Sequence, residues 1–422
     1  RSTVSAVPVT ERPYGSWSTP ITSQLVAASA VRLGEIAVDG ADLYWSEGRP
    51  AEGGRTQLVR RAPDGRTEDL LPTGFNARTR VHEYGGAAWW VRSGVIWFAN
   101  WADQRLYRLD AGGDPVALTP EPEVPAGDRY ADGDLDPEAA TIVCVREHHP
   151  AGGGVADVRN EIVQLDARTP STPQVLVTGP DFVAAPRLSP SGDQLAYLRW
   201  NHPAMPWDAT ELVVVDLATG ADVVVAGGPT ESVTEPRWAP DGTLWFLSDR
   251  TGWWNLYRWQ ASDGVVPIVE MDAEIGVPAW TLGSTRYALL PDGRVVFAAR
   301  SGGYDTLYVR DNDGQLSEIG AGFSVYGAVV TAGPDDVVVL AGSPTSEIGV
   351  HRITVTEPST VTAVRPPRDL GIEADYLSVP EHVSFPSTAP DGSARTAHAL
   401  FYPPTNPNFR APQGERPQLL VM

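Results

Sequence analysis

Cysteine is almost absent, with Cys144 alone among 422 residues. An internal disulfide is therefore excluded. Long apolar runs are missing too: no segment approaches the roughly 20 apolar residues that cross a bilayer. The opening "RSTVSAVPVTERPYG" lacks the apolar centre of a signal peptide. The single cysteine makes a cytoplasmic location the expectation; because the numbering opens on Arg1 and not on Met, a removed leader, and with it secretion, is left open. Basic charge is scarce, 32 residues against 53 acidic, giving a formal net charge of −21. That balance argues against nucleic acid and anionic membranes as partners, because phosphate binding needs concentrated positive charge. It favours a cationic ligand mildly and solubility more simply. What is present, 42% hydrophobic and 9% aromatic residues, is the composition of a folded globular protein.

An internal repeat organises most of the chain. Its copies read "TQLVRRAPDG", "QRLYRLDAGG", "NEIVQLDART", "TELVVVDLATG", "NLYRWQASDG", "TLYVRDNDG" and "EIGVHRITV". The anchors are Leu58, Leu106, Ile162, Leu212, Leu256, Leu307 and Ile348, between 41 and 56 residues apart. Asp/Gly turns before apolar strands ("VDGADLYW", "SPSGDQLAYL", "APDGTLWFL", "LPDGRVVFAA") form a second landmark. Each unit reads as four short strands, and four strands at this period predict a β-propeller blade. Seven copies predict a seven-bladed, all-β propeller over residues 32–368, after an extension at 1–31.

Two segments stand outside the repeat. "STPITSQLVAAS" predicts a short amphipathic helix, with Thr19 as N-cap, Pro20 in the first turn, and Ile21, Leu25 and Ala28 on one face. After Pro367, "EHVSFPS", "TAHALFYPP" and "PQLLVM" read as three further strands. The last, Leu419 to Met422, has the continuous apolar character of a strand buried on both faces.

The runs "NARTRVHEYGGAAW", "NHPAMPWDATELVVVDL", "SDRTGWWNLYRW", "HALFYPPTNPNF" and "LLVM" resemble the prolyl oligopeptidase family of serine peptidases. The match is to its bacterial acylaminoacyl-peptidase and dipeptidyl-aminopeptidase-like branch, which includes puromycin hydrolases. The resemblance implies that residues 369–422 are the first strands of an α/β-hydrolase domain, incomplete here. It implies that the nucleophile, acid and base lie after Met422. No G-x-S-x-G nucleophile elbow occurs in the sequence. The implied partners are the C-terminal α/β-hydrolase segment of the same protein and a small peptide or aminoacyl substrate. No cofactor is expected.

Candidate binding residues follow. In "RVHEYGGAAWW", Arg80, His82, Glu83 and Tyr84 are expected where an inner strand begins beside the central channel, with Gly85 and Gly86 permitting close approach. By analogy with aminopeptidase-like relatives, Glu83 would meet a substrate's α-ammonium group. The competing role is an ion pair with Arg80 or Arg129 that ties blades together. In "RWNHPAMPWDATEL", Pro203 and Pro206 make a rigid loop whose Trp207 and Asp208 wall a substrate pocket, or else pack blades and cap a turn. Asp249, Arg250, Trp253 and Trp254 read as structural. His148 and His149, with Glu147 and Cys144 nearby, lack zinc-ligand spacing, so no metal is expected. A propeller that serves only as an interaction scaffold, or a sialidase-like enzyme, remains the alternative. The 54 residues after Arg368 favour the peptidase.

Overall fold

The computed structural model describes residues 9–28 and 30–422. The opening residues read above for leader character fall partly at 1–8, outside the described residues. Seven four-stranded antiparallel sheets span residues 32–69, 89–117, 128–177, 182–227, 233–269, 287–318 and 325–365. These are blades 1 to 7 of a β-propeller. Each takes four consecutive strands, so the ring closes by packing and not by sharing a strand.

Local chemistry explains the repeat. In "APDG", Asp241 accepts a hydrogen bond from the Thr243 amide at 2.9 Å. Gly242 there takes φ +82°, open to glycine at no steric cost. The strand that follows, Leu244–Ser248, is buried at every residue. It lies mid-blade with a neighbouring blade against each face, which is why its apolar run does not alternate. Six anchors are fully buried in third strands: Leu58, Leu106, Ile162, Leu212, Leu256 and Leu307. The seventh is corrected. Ile348 is 43% exposed and Val350 occupies the buried position. Val350, like Leu256 and Leu212, sits where the pairing with the fourth strand shifts register.

An apolar cluster fills every interface between adjacent blades, including that between blades 7 and 1, where Ile36 and Trp45 meet Val338 and Val350. Polar latches complete this closure: Arg61 donates to the Val364 carbonyl at 2.6 Å and Arg365 pairs with Glu47 at 3.3 Å. The chain has no lysine, so every such basic contact uses a planar guanidinium.

Around the channel, the inner strands of blades 1, 3 and 5 carry a bulge. Each places a carboxylate against backbone at or just before the start of the next blade. Glu35 accepts from the Ala87 amide at 2.6 Å, Asp132 from Ala185 at 2.8 Å, and Glu235 from Arg286 at 2.7 Å. Each carboxyl oxygen satisfies a backbone N–H that would otherwise be unpaired beside the channel.

Outside the ring, the helix is Ser23–Ala27 and its N-cap is Thr22, which accepts from the Leu25 amide at 3.1 Å. Thr19 instead accepts from Ile21 in the preceding turn, so the expected cap is displaced by three residues. In the tail, Glu381–Thr388 and Ala394–Phe401 form an antiparallel hairpin. Phe409–Arg410 pairs in parallel with Thr10–Glu11, joining the two ends of the chain. Leu419 to Met422 form no strand and are exposed. The apolar run was expected to be a buried strand, but among the described residues no sheet offers it a neighbour, and unpaired backbone stays solvated.

Candidate binding face of the propeller

Two inter-blade links are long, residues 70–88 before blade 2 and 270–286 before blade 6. Both leave the ring and meet across the channel. Leu282 donates its amide to the Gly85 carbonyl at 2.9 Å, and Gly86 bridges Leu282 in parallel. A Cβ on Gly86 would overlap the Leu282 carbonyl oxygen, so the close approach that the glycines permit is to backbone. The paired links divide the channel: one cavity lies against blades 3 to 5 and another against blades 1 and 7.

His82, Glu83 and Tyr84 therefore occupy a turn, and the inner strand begins only at Trp89. His82 and Glu83 take φ of +53° and +66°, left-handed geometry in residues that are not glycine. Strain of this kind persists only where surrounding contacts impose it. Here the His82 amide donates to Glu147 at 2.7 Å, and the Glu83 amide to Arg80 at 2.8 Å.

Glu147, 4% exposed, is the hub of this corner. It also accepts from Arg129 at 2.7 Å and contacts His149 at 2.6 Å. The same Arg129 nitrogen reaches Glu83 at 2.9 Å. His148 pairs separately with Asp128 at 2.6 Å. One guanidinium thus faces two carboxylates. Glu83 remains exposed, with its second oxygen unpartnered among the described residues. Burial lowers the His82 pKa below its ordinary value, keeping the ring neutral against Phe182 and Trp200 at centroid distances of 5.2 and 5.6 Å.

The "PWDATEL" loop arrives from blade 4. Asp208 accepts from the Met205 amide at 2.9 Å and so caps its own turn. Trp207 packs on Trp280 of the blade 6 link at 4.5 Å, and Tyr84 meets the same ring edge-on at 5.7 Å. Between these groups lies a cavity of ≈ 180 Å³, floored by Asp132, Arg187 and Glu235. His82, Tyr84 and Trp207 line it; Glu83 and Asp208 do not.

The tail approaches the same face. Inner-strand starts and the turns between second and third strands share one side of a propeller. The hairpin docks on such a turn in blade 6, with Leu400 against Gly303 and the Tyr304 hydroxyl donating to the Pro380 carbonyl. Trp253, on the equivalent turn of blade 5, lines the cleft under the hairpin, whereas Trp254 is buried. Arg250 pairs with Glu231 at 2.8 Å and Asp249 accepts from Ser232 at 2.6 Å, both tying a blade 5 turn to the chain just before that blade.

Trp280 and the carboxylates Glu35, Asp132 and Glu235 escape a reading of the sequence. The unusual length of the two links was the available signal for Trp280. No comparable signal marks the carboxylates, whose partners lie in another blade.

Comparison with known proteins agrees with this architecture. No protein-family model matches the chain, and no curated protein does. Among solved structures, a puromycin-hydrolysing peptidase of Mycobacterium tuberculosis is 37% identical with a TM-score of 0.86, over 96% of this chain and 64% of that one. A puromycin hydrolase is 33% identical at TM-score 0.86, over 97% and 64% respectively. A prolyl endopeptidase matches at 13% identity and TM-score 0.66, over 88% and 54%, a likeness of fold. The ring is thus the propeller portion seen in peptidases of the prolyl oligopeptidase family. The chain is similar to puromycin hydrolases over nearly its whole length, and it spans less than two thirds of theirs, 64%.

Proposed function

We propose that the chain is the substrate-selecting part of a serine aminopeptidase or oligopeptidase. Its substrates are aminoacyl compounds and short peptides, cut at an amide bond. The triad comes from an α/β-hydrolase segment of the same protein beyond residue 422. One observation carries this reading. The "HEYGG" turn, the "PWDATEL" loop and the Trp280 link converge on one cavity, on the face where the tail hairpin docks.

The chemistry of the rim suits a substrate amine. Glu83 and Glu147 carry two negative charges against the single positive charge of Arg129. An incoming ammonium balances that corner, and the free oxygen of Glu83 can accept its hydrogen bond. Arg129 fixes the carboxylate in advance, so little ordering is left for binding. The ring and the links paired across its channel keep folded proteins out, leaving short substrates.

Glu83→Gln in the complete enzyme tests this. A charge-assisted contact contributes about 1.5–3 kcal/mol, roughly 10- to 150-fold in kcat/KM. Activity on free-amine substrates should fall by that factor, with a much smaller change on N-acylated ones and an unchanged Tm. Equal loss on both classes together with a lower Tm would make Glu83 a brace for Arg129 and overturn its binding role.

A further inference from the structure

We infer that the cavity beneath Trp280 is a pocket for an aromatic side chain. The polar groups of its floor are already committed. Asp132 accepts from Ala185 and Arg187, both at 2.8 Å, and Glu235 accepts from Ser284 at 2.8 Å and Arg286 at 2.7 Å. The floor carboxylates therefore have no free hydrogen-bonding capacity for a charged side chain, which would lose its water without replacement; on the wall, the buried His82 Nε2 has no partner among the described residues. What the cavity offers is ring surface. Phe182 and Trp200 stack at 5.2 Å on one aromatic cluster, and Tyr84, Trp207 and Trp280 form a second. The volume of ≈ 180 Å³ suits one six-membered ring; a dry cavity of about 150 Å³ is known to take benzene. Aromatic walls reward a flat ring in edge-on or offset contact beyond the area it buries.

Occupancy is linked to the rim. Tyr84 and Trp280 are 63% and 53% exposed, large apolar surfaces left open at the mouth. A ring seated beneath their edge-on contact covers part of both. Glu83 adjoins Tyr84 in the same turn, so a residue with its ring in the pocket holds its amine near that carboxylate. The residues described as lining it, from His82 to Ser284, all lie in the propeller. Its binding preference is thus separable from catalysis, although its role in substrate choice rests on the peptidase reading.

Titration of the 422-residue chain with phenylalaninamide and with alaninamide, followed by tryptophan fluorescence and calorimetry, tests the pocket. Phenylalaninamide should bind at least tenfold more tightly. Trp280→Ala should abolish the difference by opening the wall, and Ala204→Phe by filling the space from the loop. Equal affinity for the two amides in the wild-type chain would overturn the inference, as would a preference that survives in either folded variant. Turnover by the complete enzyme judges the peptidase reading separately: hydrolysis without aromatic preference leaves that reading standing and removes the pocket.

Discussion

Blade 5 and the tail hairpin are both antiparallel strands rich in β-branched and aromatic residues, yet they live in different surroundings. Leu244–Ser248 is buried throughout. Phe385 and Phe401 in the hairpin are 48% and 40% exposed, and Leu420 beyond it 81%. The difference is one of neighbours. Every blade is clasped by two others, so its strands are covered on both faces, whereas the hairpin touches the ring at one edge. β-propensity selects strands in both regions; burial, and with it stability, comes only from what packs against them.

The comparison sharpens most at the buried ion pair of blade 6. Arg286 and Asp305 meet at 3.0 Å, both essentially inaccessible. Burial opposes ionisation of Asp305, but Arg286 and the bonds from Arg300 hold its carboxyl below the ordinary range. Asp305→Ala strands a buried guanidinium and should cost about 3–5 kcal/mol in denaturant unfolding. A cost below about 1 kcal/mol would show that the ring does not depend on this pair.

A smaller effect is expected at Glu35. Burial, reinforced by the charge of Asp132, raises its pKa from 4.5 to about 7, against the pull of the Ala87 and Ala88 amides. The folded state keeps a proton that the unfolded chain releases. The contribution of this group is therefore fully present below 4.5 and lost as pH rises through about 7. It amounts to something on the order of 3 kcal/mol. Glu35→Gln retains an acceptor for Ala87 and removes the titration, so its stability should gain on the wild type between pH 5 and 8. Parallel pH curves would contradict this.

The smallest effects separate ring from tail directly. Val350→Ala empties a packed site between blades 7 and 1 and should cost about 2 kcal/mol. Ile348→Ala and Phe385→Ala should each stay within about 0.5 kcal/mol. Equal costs at Val350 and Ile348, read from urea midpoints, would restore Ile348 as the buried anchor.

These sites also mark how far the sequence is legible. The blades could be read because their signals are local: an Asp/Gly turn and an apolar run recur within each unit. Ile348 was misassigned because it and Val350 are both β-branched and two residues apart, and period-two patterning cannot say where along a strand the packing lies. The "HEYGG" run was recognised but expected at a strand start. Its left-handed His82 and Glu83 are imposed by Glu147 and by pairing with a distant link, neither of which leaves a local mark. Trp280 carries no motif at all. The Glu35, Asp132 and Glu235 latches bind backbone of other blades, and backbone has no residue identity to read.

The central claim is that this propeller selects substrates for a hydrolase segment supplied by the same protein. Its most direct test compares hydrolysis of an aminoacyl amide by residues 1–422 with hydrolysis by the chain extended through the segment that its puromycin-hydrolysing relatives carry. No turnover by residues 1–422, and serine-inhibitor-sensitive turnover by the extended chain, is the predicted result. Inhibitor-sensitive turnover by residues 1–422 alone, or none by the extended chain, would contradict it.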